Sequence, residues 1–258
     1  MAVRQSDGSA GDANYGAIGG GYTAYRQPEP AIAALIAAAL GPAVTVLNVG
    51  AGAGSYEPED RVMTAVEPSA SMRAQRPPHR VPALDALAEA LPFPDAAFDA
   101  SMATFTVHQW NGLAAGLGEM RRVTRGPVVI LTCDPLLVRR FWLNDYAPDV
   151  LATEARRYPA LARIGAGLGG TIRVVPVPIP LLCRDGFNEA YYGRPECLLD
   201  DGARQACSAW SFVSAAVAAG YVAHLRRDLA NGTWDAAHGA LRNQPVFDGS
   251  LRLVVAER

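Results

Sequence analysis

Two rhythms of apolar residues run along this chain. Up to about residue 135, short apolar runs of strand length alternate with stretches of helical spacing or turn chemistry. "EPAIAALIAAAL" predicts a helix with Pro30 in its first turn and Gly41 at its end. Residues 44–49 and 62–66 read as buried strands, and "SASMRAQR" as a short helix stopped by Pro77 and Pro78. "VPALDAL" reads as a third strand, "FDASMATFTV" as a fourth and "PVVILTC" as a fifth. Between the last two, "GLAAGLGEMRRV" carries Leu113, Leu117, Met120 and Val123 at helical spacing. Strands that alternate with helices predict an α/β fold, a parallel sheet covered on both faces.

Beyond residue 135 the rhythm changes. Residues 136–168 read as mostly helical, and "TIRVVPVPIPLLC" as a proline-broken edge strand. Residues 186–245 mix helix and loop and are rich in aromatics, and "SLRLVVAE" closes the chain as a last strand. Residues 1–20 are small, polar and glycine-rich, the composition of a mobile segment. With 258 residues, half of them apolar, the chain suffices for one large domain or one domain with a cap. Its divisions are 1–40 (N-terminal lid and helix), 41–135 (core), 136–248 (helical cap region with the edge strand) and 249–258 (last strand).

Charge narrows the function. The formal net charge of −2 gives no strong attraction to nucleic acid, and every basic residue is arginine. Arginine pairs such as Arg121-Arg122 and Arg156-Arg157 are scattered, as on solvated helix faces. Four cysteines without C-x-x-C spacing suit a reduced, cytoplasmic protein, and no leader or membrane span is expected. Carboxylates at Glu57, Glu59 and Asp60 have no histidine at ligand spacing, so no metal is expected.

The candidate chemistry sits in "VTVLNVGAGAGSYEPEDRVMTAVEPSASM", residues 44–72. Gly50, Gly52 and Gly54 follow a strand directly, where glycine lets backbone N–H groups approach a ligand. Ser55 breaks the dinucleotide fingerprint, which argues against a nicotinamide oxidoreductase, and the absence of lysine argues against a phosphate loop. Glu67 ends the second strand, where a carboxylate can accept both hydroxyls of a ribose. The turn therefore suits an adenosine-type ligand without a pyrophosphate.

"VLNVGAGAG" and "AVEPSASM" resemble the first two motifs of class I S-adenosylmethionine-dependent methyltransferases. "AEALPFPDAAFDASMATFTVHQW" and "GLGEMRRVTRGPVVILT" are similar to the later motifs of the small-molecule branch related to ubiquinone and menaquinone methyltransferases. The resemblance spans roughly residues 20–135, with five segments in order. It implies a Rossmann-like, doubly wound, mostly parallel seven-stranded sheet with a helical cap, S-adenosyl-L-methionine as cofactor, and methyl transfer to a small molecule. A non-methylating enzyme or partner subunit that binds the cofactor on the same fold is the alternative. The resemblance places Gly50, Ala51 and Gly52 beside the methionine part, Glu67 on the ribose, and Pro68, Ser69 and Met72 beside the adenosine. Ala88 and Glu89 fall near the adenine and Thr104 near the sulfonium, while Tyr25 or Arg26 reaches the cofactor carboxylate from an N-terminal lid.

Three positions depart from that pattern. Asn48 replaces the usual acid below the cofactor ammonium, and Leu87 replaces an aspartate at the adenine, with Asp85 close by. Gly50 and Glu67 lie 17 residues apart, too close for an ordinary crossover helix. His108 either faces the substrate as a base or packs beside Trp110. Glu189, Tyr191 and Tyr192, with Tyr22 from the other side, either line a substrate pocket or pack a cap. A monomer or homodimer is expected, with no nucleic-acid or membrane partner.

Overall fold

A computed structural model describes residues 21–258; the glycine-rich segment 1–20 lies outside the described residues. Seven strands form the main sheet: β1 Thr45–Val49, β2 Val62–Val66, β3 Ala83–Leu84, β4 Ala100–Thr104, β5 Val128–Cys133, β6 Thr171–Pro176 and β9 Leu251–Glu257. Their spatial order is β3-β2-β1-β4-β5-β9-β6. The first five are parallel, and β9 runs antiparallel to both β5 and β6. A separate small sheet pairs β7 Ile179–Pro180 with β8 Val246–Phe247. The architecture is the Rossmann-like, mostly parallel sheet expected from the sequence.

Every residue of β5, "VVILTC", is buried, as a strand covered on both faces requires. Side chains alternate between two cores. Val129, Leu131 and Cys133 join Val46 and Met102 on one face, while Val128 and Ile130 join Leu47 and Ala103 on the other. Proline explains the edge: β6 ends at Pro176, and the chain then leaves the sheet to form β7.

Among the helices, α1 is Tyr22–Tyr25 and α2 is Pro30–Leu40. The Glu29 side chain caps α2 by accepting the Ala31 N–H at 3.3 Å, and Gly41 ends it at φ +61°. Ile32, Ile36 and Leu40, four residues apart, are fully buried, and α2 packs against β4 and β5. The short α3, Ala70–Arg73, begins at Ser69, whose hydroxyl accepts the Met72 N–H. On the opposite face lies α4, Leu113–Val123, burying Leu117, Met120 and Val123. After α5, Pro135–Val138, come α6, Pro148–Arg157, and α7, Leu161–Leu168, which packs on α4. The late region carries α8 Asp201–Gln205, α9 Ala215–Ala230 and α10 Thr233–His238.

The connection from β1 to β2 contains no helix, in line with its short spacing. The fourth strand is shorter than "FDASMATFTV" implies, because Phe105 turns the chain at φ +52°. Strand order reverses between β1 and β4, which opens a crevice at their carboxyl ends. Gly50, Glu67 and Phe105 each follow a strand that ends there.

Leu117 is fully buried where α4 meets α7 and the sheet. Leu117→Ala is expected to lower the unfolding free energy by about 2–5 kcal/mol, the cost of a lost side chain plus its cavity. Urea denaturation measures this, and a loss under about 1 kcal/mol would show that the helix pair does not rely on this contact.

Candidate functional site

The glycine turn is pinned to its neighbour strand. Gly50 and Ala51 N–H groups both donate to Val66 O, at 3.0 and 2.9 Å. Gly50 sits at φ +68°, and a methyl group there would collide with Thr106 Oγ1, so both conformation and contact demand glycine. Gly52, at φ +51°, donates its N–H to Glu67 Oε2 at 2.8 Å, and Ser69 N–H donates to Glu67 Oε1 at 2.8 Å. Each carboxylate oxygen of Glu67 thus keeps accepting capacity beyond one backbone bond. Burial pushes the Glu67 carboxyl up, while the two N–H groups and the nearby Arg73 and Arg76 hold it down.

Beneath the turn, Asn48 Nδ2 donates to Glu57 Oε1 at 3.0 Å. Arg76 donates to both Glu57 oxygens at 2.9 Å and to Gly52 O at 3.3 Å. The Glu57 side chain is completely buried and that of Arg76 nearly so. A buried charge pair therefore lies in direct contact with Asn48, where the family's acid is missing.

A cavity of about 830 Å³ opens over this turn. Of the residues the resemblance selected, Gly50, Ala51, Gly52 and Glu67 line it, as do Arg26, Pro68, Met72, Ala88 and Thr104. Three do not. The Tyr25 hydroxyl donates instead to Asp200, at 3.1 and 3.2 Å to its two oxygens, and its ring packs on Gly202. Ser69 is buried as the cap of α3 and shapes the wall from behind. Glu89 accepts the Gly112 N–H at 2.8 Å. Asp85 pairs with Arg73 at 3.5 Å. Residues the sequence did not single out complete the lining, notably Tyr56, Phe105, Thr106, Gln109, Trp110 and Asp185.

At one end of this cavity Arg26 forms an ion pair with Asp185, which also accepts the Tyr56 hydroxyl at 2.8 Å. The Arg26 guanidinium lies 5.0 Å from the Phe105 ring centre and 5.4 Å from that of Tyr22. Gly186 N–H donates to Tyr25 O at 2.8 Å, so the N-terminal segment is docked along residues 185–186. Nothing in the sequence spacing links positions 26 and 185.

Tyr22, Arg26 and Phe105 also line a second cavity, of about 510 Å³. Its other walls include His108, Glu154, Arg157, Tyr158, Phe187 and Asn188. Arg157, expected on a solvated helix face, lines this cavity instead. His108 stacks edge-on against Tyr158, with ring centres 4.7 Å apart. Its Nδ1 is buried without a hydrogen-bond partner among the described residues. Burial, reinforced by Arg157 and Arg26, pushes its pKa down to about 3, so the imidazole is neutral and weakly basic at pH 7.

The late cluster lies elsewhere. Glu189 accepts the Ser250 N–H and hydroxyl, each at 2.9 Å, and burial pushes its carboxyl up to about 7. Tyr192 stacks on Phe247 and donates to Gln244 O at 2.6 Å, while Tyr191 packs against Gly186. Glu189, Tyr191 and Tyr192 line neither cavity; of the four candidate substrate residues only Tyr22 does.

Residues 47–130 match the family model of a methyltransferase domain. A structure of a methyltransferase candidate from an antibiotic biosynthesis pathway of Anabaena variabilis is 27% identical, with a TM-score of 0.84 over 91% of this chain and 99% of that one. This protein is an S-adenosylmethionine-dependent methyltransferase. Two more distant structures share its fold. One is a methyltransferase of Thermotoga maritima named as a candidate histamine N-methyltransferase: 15% identity, TM-score 0.52, 94% of this chain and 92% of that one. The other is the [4+2]-cyclase SpnF: 20% identity, TM-score 0.50, 88% of this chain and 79% of that one. No curated protein matches the sequence. Among the described residues of the methyltransferase, no helix is long and apolar enough to cross a membrane.

The depressed His108 pKa carries a stability consequence. The unfolded chain takes up this proton near pH 6.5, the folded methyltransferase only near 3, so stability is lost as pH falls between those values. Relative to His108→Gln, the native protein is expected to lose about 2 kcal/mol more between pH 7 and pH 5. Urea denaturation of both proteins at the two pH values checks this; parallel losses would mean that the imidazole is protonated in the folded state.

Proposed function

We propose that the larger cavity holds S-adenosylmethionine and that the smaller one receives a small-molecule methyl acceptor. The single observation that carries this reading is that Tyr22, Arg26 and Phe105 form a wall common to both compartments, beside Thr104 at the end of β4. In-line displacement needs donor and acceptor on opposite sides of one carbon, and two adjoining cavities supply that arrangement.

The residues present fit the cofactor. Glu67 keeps free lone pairs at the end of β2 for the ribose hydroxyls, and Pro68, Met72 and Ala88 offer apolar wall to the adenosine. The backbone of Gly50, Ala51 and Gly52 borders the methionine part. Arg26 and Asp185 present one positive and one negative group, matching a zwitterionic tail. Ser69 and Glu89 act behind this surface by holding Glu67 and Gly112. When bound, S-adenosylmethionine supplies a methyl group already activated for displacement. The protein's own work is to orient the acceptor and exclude water.

In this reading the chain is one domain, with residues 136–248 forming the cap that walls the acceptor side. A small-molecule rather than nucleic-acid substrate accords with the net charge of −2, and a cytoplasmic location with four cysteines that are all free thiols. The ubiquinone-like branch assignment rests on the motif resemblance alone.

Glu67→Ala is expected to weaken S-adenosylhomocysteine binding by about 1–3 kcal/mol, the scale of hydrogen bonds to a charged group. Isothermal titration calorimetry reads this directly, and an unchanged dissociation constant removes Glu67 from the cofactor site. Incubation with labelled methyl donor and a cell extract, read by mass spectrometry, should show an acceptor heavier by one methylene.

A further inference from the structure

One charged group in the second cavity lacks a counter-charge. Glu154, on α6, lines that cavity, and Asn188 Nδ2 donates to its Oε2 at 2.8 Å. Asn188 is itself fixed, because its Oδ1 accepts the Trp210 indole N–H at 3.0 Å. This relay orients the carboxylate through one oxygen. The other, Oε1, has no hydrogen-bond or ion-pair partner among the described residues.

The two arginines of the lining are engaged elsewhere. Arg26 is ion-paired with Asp185. Arg157 donates to Ser208 Oγ at 2.8 Å and lies 4.8 Å from the Phe212 ring centre, and no ion pair joins it to Glu154. A carboxylate withdrawn from water is rarely left without a cation, yet here the protein supplies one neutral N–H. Lost hydration accordingly pushes the Glu154 carboxyl up, against the pull of Asn188 and both arginines. The walls beside it suit a cation. Phe105 and Phe187 lie 5.3 Å apart, and the His108 and Tyr158 rings 4.7 Å apart, all lining this cavity. Aromatic faces attract positive charge, and His108, neutral at pH 7, adds a ring without a repelling charge.

We propose that the methyl acceptor is an amine, bound as its ammonium ion with one N–H on Glu154 Oε1, and that it is methylated on nitrogen. This rests on the reading of the second cavity as the acceptor site. The ammonium first gives one proton to Glu154, which passes it to solvent and then holds the neutral amine through a remaining N–H. The freed electron pair on nitrogen closes on the methyl carbon as that carbon's bond to sulfur opens, and the pair from the broken bond stays on sulfur. Positive charge thereby moves from sulfur to nitrogen, towards a carboxylate already oriented to receive it. The product is again an ammonium ion, with one more methyl group.

The test uses the full chain saturated with S-adenosylhomocysteine and three probes of similar size: benzylamine, benzyl alcohol and benzoate. Calorimetry on the native protein should rank benzylamine first. Glu154→Gln keeps the shape and the Asn188 contact, and should leave S-adenosylhomocysteine affinity unchanged. It should weaken benzylamine by about tenfold or more and leave benzyl alcohol nearly untouched, a selective loss that structural damage would not produce. With S-adenosylmethionine and saturating benzylamine, the native protein should form N-methylbenzylamine and the variant about a hundredfold less. Benzyl alcohol or benzoate binding tighter than benzylamine would overturn the proposal in favour of a hydroxyl or an acid acceptor. Equal benzylamine affinity in native and variant protein, no binding of any probe to the loaded protein, or benzylamine bound but never methylated would each overturn it too. Failure of S-adenosylhomocysteine itself to bind would instead strike the cofactor reading.

Discussion

Two backbone N–H groups, from Gly52 and Ser69, converge on the carboxylate of Glu67, and the site depends on that convergence. One donor comes from the turn after β1, the other from the cap of α3 after β2. The carboxylate therefore ties the ends of two neighbouring strands together and is itself held facing the cavity. Neighbouring parallel strands are usually joined through a crossover helix; here no helix separates β1 from β2. Its place is taken by the buried pair of Glu57 and Arg76, with Arg76 reaching Gly52 O and Asn48 bonding Glu57. Such a pair adds little net stability over an apolar core, but losing one partner would leave a stranded charge, so it fixes geometry firmly.

The second dependence lies at the end of β4. Phe105, a residue with a side chain, adopts φ +52°, a conformation that costs energy outside glycine and persists only when its surroundings enforce it. Its N–H remains bonded to Leu131 O at 2.9 Å, so the strand pairing carries through while the chain turns away. The turn places Thr104 and Thr106 in one cavity and His108 in the other, with Phe105 between them. Gly50 must be glycine partly because Thr106 occupies the space where its side chain would be. Strain at one residue thus couples the two compartments to the sheet.

The fold and half the site could be read in the sequence because their signals are local. Apolar runs of strand length, a glycine turn directly after one of them, and an acid at the end of the next gave β1, β2, Gly50, Gly52 and Glu67 without knowledge of distant contacts. Asp185, Phe187, Glu154 and Asn188 could not be found that way. They come from the late region, and what makes them site residues is proximity to Arg26 and Phe105, which no periodicity encodes. Glu189, Tyr191 and Tyr192 took the second of their two readings, packing and not a pocket wall. Closely spaced aromatic and acidic residues suggested a pocket wall, but on a short 3₁₀ turn consecutive side chains point in different directions. Glu189 went to Ser250 at the start of β9 and Tyr192 to Phe247 in the small sheet. Tyr22 and Tyr25 divide likewise, one into the cavities and the other onto α8.

Sequence reasoning favours histidine as a base because an exposed imidazole titrates near neutrality and an exposed carboxylate does not. The second cavity reverses that order by a single physical cause. Loss of hydration destabilises whichever form of a group is charged, so it lowers the histidine and raises the glutamate. His108 falls from 6.5 to about 3, with Arg157 and Arg26 adding to the effect, while Glu154 rises from its ordinary 4.5 against the pull of the same two arginines and Asn188. The carboxylate therefore ends as the stronger base of the two, although every exposed reference value says otherwise. How readily each of these side chains takes up a proton is set by the walls the late region builds around β4, and only then by residue type.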